Sequence, residues 1–241
     1  MDKDSNLDYD FADIITERPH EFTVGRKHFR LYPVTLAKTF VLGRIIGKLP
    51  IDKLLLAVNP YVEALRLVEV DKESCCHILA IHTTPNTYKD LYNTQSIACR
   101  KNVFASMGNK SIASLLLYVL TSDKTDALME HLGIDAERVR LRKAMEVKDT
   151  KNSLSFGGKT LFGGFIGPLK EMGYTDDEIL FERGYTYLRL MLADKVTSVY
   201  VTDEELDSLP ADMGGKVLDG NDPGSFSKLQ SIFADKGVTI N

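Results

Sequence analysis

The stretch with most chemical promise is Ser153-Leu154-Ser155-Phe156-Gly157-Gly158-Lys159-Thr160, which ends in the Gly-Lys-Thr of a phosphate-binding loop. Such a loop works because backbone N–H groups and a helix dipole converge on phosphate, which requires Gly-x-x-x-x-Gly-Lys-Ser/Thr after a buried strand. Here Ser153 stands at the first glycine position, and residues 146–151 (Glu-Val-Lys-Asp-Thr-Lys) are too polar for a central strand. No apolar strand ending in aspartate follows to hold magnesium. The segment therefore reads as a loop feeding a helix N-terminus. A nucleotide-binding enzyme using Lys159 and Thr160 is the third and least favoured functional class.

Cys75, Cys76, His77 and His82, with Cys99 further on, raise a metal site. Adjacent helical residues point about 100° apart, so Cys75, Cys76 and His77 cannot converge on one ion. Ligand pairs spaced as in zinc fingers or ribbons are missing from the sequence. We therefore assign no metal and no cofactor, and read Cys75, Cys76 and Cys99 as small core fillers. His82, near a helix C-terminus, is expected to offset the dipole there. The carboxylates Asp176-Asp177 and Asp203-Glu204-Glu205 fall in first helical turns, where negative charge opposes the dipole. No catalytic elbow, His-Glu-x-x-His or dinucleotide turn occurs, so no catalytic residues are assigned and the chain reads as a non-enzyme.

Composition excludes other classes. The chain has 241 residues, 44% hydrophobic and 27% charged, which is ordinary globular usage and rules against disorder throughout. Its net charge is -4, without the basic footprint a nucleic-acid binder shows. Three cysteines do not form a disulfide framework and suit a reducing compartment. The N-terminus lacks a signal pattern and no apolar run reaches the ~20 residues of a membrane span, so a cytoplasmic location is expected.

The elements that must position any site are mainly helical. Residues 1–18 read as a flexible acidic arm. Apolar residues then alternate over 21–24 and 28–32 around Gly25-Arg26-Lys27, a β-hairpin signal. After Pro33 the period changes: Leu36, Phe40, Val41, Ile45 and Ile46 fall on one helical face, with Thr35 as N-cap. Helices follow over 54–70 with a break at Asn59-Pro60, over 71–83, over 88–122 with a break at Met107-Gly108, over 125–132 up to Gly133, and over 135–147. The spacing predicts a mainly α fold, a multi-helix bundle-like body preceded by a short N-terminal β-hairpin. Residues 19–147 form the first domain, 148–159 a linker, and 160–241 a second helical block with a loop at 211–224. Within that block Thr175 to Glu178 and Thr202 to Glu205 are capping boxes around the apolar stretch 179–201, and a short helix is expected over 226–234. The glycines of Phe162-Gly163-Gly164-Phe165-Ile166-Gly167-Pro168 point first to close backbone packing and secondarily to a contact surface.

Two groups of segments carry a family resemblance. The first is Leu31-Tyr32-Pro33-Val34-Thr35-Leu36-Ala37-Lys38 after the hairpin, then Asn59-Pro60-Tyr61-Val62-Glu63-Ala64-Leu65-Arg66-Leu67. The second is Gly158-Lys159-Thr160-Leu161-Phe162-Gly163, Gly173-Tyr174-Thr175, and Gly184-Tyr185-Thr186-Tyr187-Leu188-Arg189-Leu190-Met191-Leu192-Ala193-Asp194-Lys195. Together, over about two thirds of the chain, they resemble tail assembly chaperones of tailed bacteriophages. The resemblance implies a non-enzymatic protein of the infected host cell's cytoplasm that binds the tape-measure and tail-tube proteins and is absent from the finished virion. The alternative class is a structural virion component, a connector or tail-completion protein. Neither nucleic acid nor membrane is an expected partner, and self-association as a homo-oligomer stays open. Candidate partner-binding residues are Phe162, Phe165, Tyr185, Tyr187, Leu188, Met191 and Leu192, since helix-in-groove docking uses such apolar and aromatic stripes. The competing expectation, that this stripe is core, ranks above it.

Overall fold

The structure is a computed structural model that describes residues 3–147, 158, 160–196, 199–200, 202 and 205. It is mainly helical, with one two-stranded antiparallel hairpin near the N-terminus. Strands β1 (His20–Val24) and β2 (Lys27–Leu31) pair with Val24 opposite Lys27, which leaves Gly25-Arg26 as a two-residue turn. Gly25 has φ +60, so glycine occupies the position where a tight hairpin turn needs a left-handed residue. Phe22 and Phe29 lie opposite each other and, with Phe104, make the aromatic floor that seats the hairpin on the helices.

The chain divides into two compact units, one of residues 1–137 and 154–196, the other of 138–153 and 197–241. In the first, α2 (Leu36–Ile46), α3 (Lys53–Val58), α4 (Pro60–Val70), α5 (Lys72–His82), α6 (Tyr88–Leu91), α7 (Thr94–Ala105) and α8 (Asn109–Leu120) follow the hairpin. The starts of these helices are set by short polar caps. Thr35, Asp52, Asn59, Asp71, Thr87 and Asn93 each accept a backbone N–H of the first turn. Their apolar faces meet in one core that includes Leu42, Leu67, Cys75, Cys76, Leu79, Phe104 and Leu116. Helix α9 (Thr125–His131) ends before Gly133, whose φ is +71, and α10 (Ile134–Val147) begins there.

In the second unit, the residues of α10 from Arg138 on carry exposed Arg140, Arg142 and Lys143, as the charge pattern predicts. Thr202 N–H donates to Glu205 Oε2 at 2.8 Å and Thr202 Oγ1 accepts from Glu205 N, so the second capping box is formed. Most of the expected linker 148–159, the loop 211–224 and the helix expected over 226–234 lie outside the described residues.

Several expectations are corrected. Residues 3–15 are not a loose arm but α1 (Lys3–Ile15), because Leu7, Phe11 and Ile14 share one face and pack on Leu128, Met129, Ile134 and Leu190. Residues 160–196 do not form a separate block. Leu169, Ile179 and Leu188 share a cluster with Leu36, and Tyr185 N–H donates to Val34 O at 2.6 Å. The apolar stretch from 179 is broken, since Arg183 is extended and Gly184 pairs with Thr35. That leaves a π-helical turn at Glu178–Glu182 and a shorter α12 (Tyr185–Ala193). Phe40 is 49% exposed, because the buried face of α2 runs through Leu36, Ala37, Lys38 and Leu42.

Candidate functional site

Three places have the composition of a site: the glycine-rich segment with the stripe on α12, a polar cluster at the end of α5, and the exposed surface of α3.

The segment Phe162–Ile166 forms a π-helical turn that runs into α11 (Gly167–Glu171). Thr160 Oγ1 accepts the N–H of Gly163 at 3.1 Å, so the hydroxyl of the Gly-Lys-Thr sequence is used as a local cap. Lys159 lies outside the described residues. The glycines are explained by backbone proximity: a Cβ on Gly164 would stand 2.4 Å from the carbonyl oxygen of Gly158. Gly164→Ala is therefore expected to lower stability by about 1–3 kcal/mol through overpacking. Gly43→Ala, inside α2 where a Cβ meets nothing within 4 Å, is expected to hold or raise stability, by up to about 1 kcal/mol. Thermal melting of the two variants side by side checks this, and equal melting points would contradict it.

The candidate partner stripe divides sharply. Leu188 is fully buried beside Leu36, Leu169 and Ile179, and Phe165, Tyr185, Tyr187 and Leu192 pack around them. The rings of Phe165 and Tyr185 lie 5.3 Å apart, the hydroxyls of Tyr174 and Tyr187 are 3.3 Å apart, and the Arg183 guanidinium stands over the Tyr187 ring. Met191 is half-buried. Phe162 alone of the seven projects outward, at 74% exposure. Most of the stripe packs on the core, and Phe162 is its one strongly exposed member.

The polar cluster was not foreseen. Lys38 is fully buried, and its Nζ donates to the carbonyls of Thr84 at 2.9 Å and His82 at 3.4 Å. Arg100 donates from Nη1 to Thr83 O at 2.8 Å. Three successive carbonyls at the end of α5 thus receive side-chain donors, with the Tyr32 N–H also donating to His82 O at 3.1 Å, which answers their lost helical partners. Burial, reinforced by the charge of Arg100, pushes the Lys38 amine down to about 7. His82 is itself buried and pushed down to about 3, by burial first and Lys38 second. It is neutral, and the dipole-offsetting role expected of it falls to Arg100. A cleft of about 550 Å³ opens beside this cluster between the hairpin, Thr83 and Arg100. Of its charged walls, Arg30 pairs with Glu21 at 2.7 Å and Arg100 donates from Nη1 to Thr83 O, while the Arg100 Nε is buried without a hydrogen-bond partner among the described residues. The cluster reads as a structural clamp.

Among the described residues no group of three or more His, Cys, Asp or Glu is placed to hold a metal ion. Cys75 and Cys76 are buried fillers, and burial pushes the Cys75 thiol up to about 12, far from a reactive thiolate. Cys99 is exposed, contrary to the expectation that it fills the core. No described helix is long and apolar enough to cross a membrane.

The surface that sequence reasoning missed is α3. Its residues are Lys-Leu-Leu-Leu-Ala-Val, and not one of the six is buried. Leu54 is 81% and Val58 85% exposed, and these two share a face four residues apart. Its ends are held by polar contacts. Asp52 Oδ1 accepts from Leu54 N and Leu55 N, the Asp52 N–H donates to Glu63, and Asn59 both closes α3 and caps α4. Glu63 is buried and gripped by Arg66 through two 2.7 Å bonds, which fixes that anchor and holds its carboxyl below the usual range. The helix rests on α4 with Leu55 and Leu56 half-buried, and its outer face, pinned at both ends and carrying Leu54 and Val58, is suited to receive another apolar surface. Comparison with family models, curated proteins and solved structures returned no match.

Proposed function

We propose that the chain is a non-enzymatic tail assembly chaperone that binds the tape-measure and tail-tube proteins in the cytoplasm of a phage-infected cell. The observation that carries the reading is α3, whose outer side chains Leu54 and Val58 are held in place by the caps at its ends and left exposed. A holdase acts by offering apolar helical surface to an aggregation-prone helical client, and helix-in-groove docking reads side chains spaced as Leu54 and Val58 are. Exposed Phe162 is a second contact on the same unit. The resemblance of the sequence supplies the identity of the client; α3 supplies the surface.

The double variant Leu54→Asp/Val58→Asp tests it. Co-expressed with a tape-measure fragment, wild type is expected to co-purify with the fragment and keep it soluble. The variant is expected to lose roughly tenfold or more in affinity, since each desolvated apolar side chain is worth about 1.5–3 kcal/mol. Its own melting point should hardly move, because nothing buried is altered. Undiminished capture by the variant would remove α3 from the account. Abundant peptides of this chain in purified virions would replace the chaperone with a structural virion component.

A further inference from the structure

Helix α1 stands at the start of the chain and carries Leu7, Phe11 and Ile14 at i, i+4 and i+7. That spacing is the one by which an amphipathic helix docks into a groove between other helices. Its seat is formed by Leu128 and Met129 of α9, Ile134, and Leu190 of α12. The rim of the seat is polar: Asp10 pairs with Lys124 at 2.5 Å, and Asp8 Oδ1 lies 2.8 Å from His131 Nε2. The docking is shallow, since Leu7, Phe11 and Ile14 all remain partly exposed.

The connection to the body is short and strained. Residues 16–19 link α1 to β1, and within them Glu17 holds φ at +53, a left-handed conformation that a side chain makes unfavourable. The Glu17 carboxylate is tied to the body, with Oε1 accepting the Gly184 N–H at 2.8 Å. Rotation about the φ of Glu17 moves everything N-terminal to it and leaves its side chain and the following chain in place. The pivot can therefore turn without breaking the tie. A helix of 13 residues is marginal alone in water, so a released α1 needs a seat.

We propose that the seat on α9 and α12 also accepts α1 from a second copy of this chain, giving a reciprocal dimer by helix exchange. Every apolar and ionic contact of α1 is reproduced in the exchanged form, and the hinge is freed from its left-handed residue. Short hinges under strain favour this kind of swap. The cost is association, so the dimer is expected to grow with concentration.

The test uses the full wild-type chain. Isotopically heavy and light protein are mixed at high concentration and treated with a zero-length carbodiimide, which joins a carboxylate to an amine in contact. The Asp10–Lys124 link is then read by mass spectrometry in the monomer and dimer fractions. The expected result is a dimer in which about half the links join a heavy to a light chain, the statistical share for reciprocal exchange. Phe11→Asp, which places a charge in the apolar seat, is expected to abolish both the link and the dimer. Links that are all heavy-heavy or light-light, no link at all, a monomer at every concentration, or a dimer that survives Phe11→Asp would each overturn the proposal.

Discussion

Phe104→Ala is expected to remove about 3–5 kcal/mol of stability, as large-to-small changes at fully buried aromatics do. Phe104 is wholly buried near the end of α7, with its ring 5.0 Å from Phe29 and 6.3 Å from Phe22. It is the surface on which the hairpin rests, and a two-stranded hairpin has little stability of its own. Truncation leaves a cavity in the helical core and takes away the hairpin's support in one step. Domains are stable by only about 5–15 kcal/mol, so the loss is a large fraction of the whole. Urea unfolding followed by circular dichroism measures it. Phe104→Leu should cost much less, and Phe104→Ala with Phe29→Ala should cost less than the sum, since both delete the same contact. Additive losses would show that the two rings do not work together.

The second large effect is a stability that climbs with pH. In the unfolded chain His82 titrates at the ordinary 6.5 and Lys38 at 10.5, whereas in the fold they are pushed down to about 3 and about 7. Between pH 3 and 6.5 the unfolded chain holds a proton at His82 that the folded chain lacks, and between 7 and 10.5 the same holds at Lys38. Stability therefore rises with pH through both windows, on the order of a few kcal/mol in each at 1.36 kcal/mol per unit. The charged and titratable neighbours of Lys38 are Arg100 from α7, His82 itself and Tyr32 just after the hairpin, whose ring centre lies 5.5 Å from the Lys38 amine. Glu17 runs the other way. Burial holds its carboxyl above the usual range, so its contribution falls as pH rises past the ordinary 4.5. Denaturation midpoints from pH 4 to 10 test the balance. Lys38→Met, which keeps the volume, should flatten the profile above pH 7, and His82→Gln should flatten it below. A wild-type profile level from 7 to 10 would contradict the assignment.

The parts of the fold that could be read from sequence are those fixed by near neighbours. Gly25 in its turn, Thr35 as a cap, Asn59-Pro60 as a break, Gly133 as a stop and Thr175 boxed with Glu178 each depend on residues within a few positions. What escaped depends on distance along the chain. Lys38 is buried because its acceptors lie 44 and 46 residues away, and no local pattern reveals that a lysine on a helix has carbonyls waiting. Leu7, Phe11 and Ile14 stand among aspartates, and only their seat near residues 128–134 and 190 gives the spacing its meaning. The exposed apolar face of α3 escaped for the converse reason. A run of apolar residues ordinarily signals burial, so Leu188 and Leu54 look alike in sequence, yet one is core and the other faces solvent.

The bond from Tyr185 to Val34 and the pairing of Gly184 with Thr35 have a bearing on how the chain is made. A ribosome delivers the hairpin and α2 long before residue 184, and Leu36 then waits for Leu169, Ile179 and Leu188 to complete its cluster. Until some 150 further residues have emerged, the joint between strand and helix has its carbonyl unanswered and its leucine uncovered. The joint at residues 33–36 is thus expected to stay protease-sensitive on the ribosome after the hairpin and α2–α8 have closed their own core, and to become resistant in a late step, when α12 leaves the exit tunnel and closes over it.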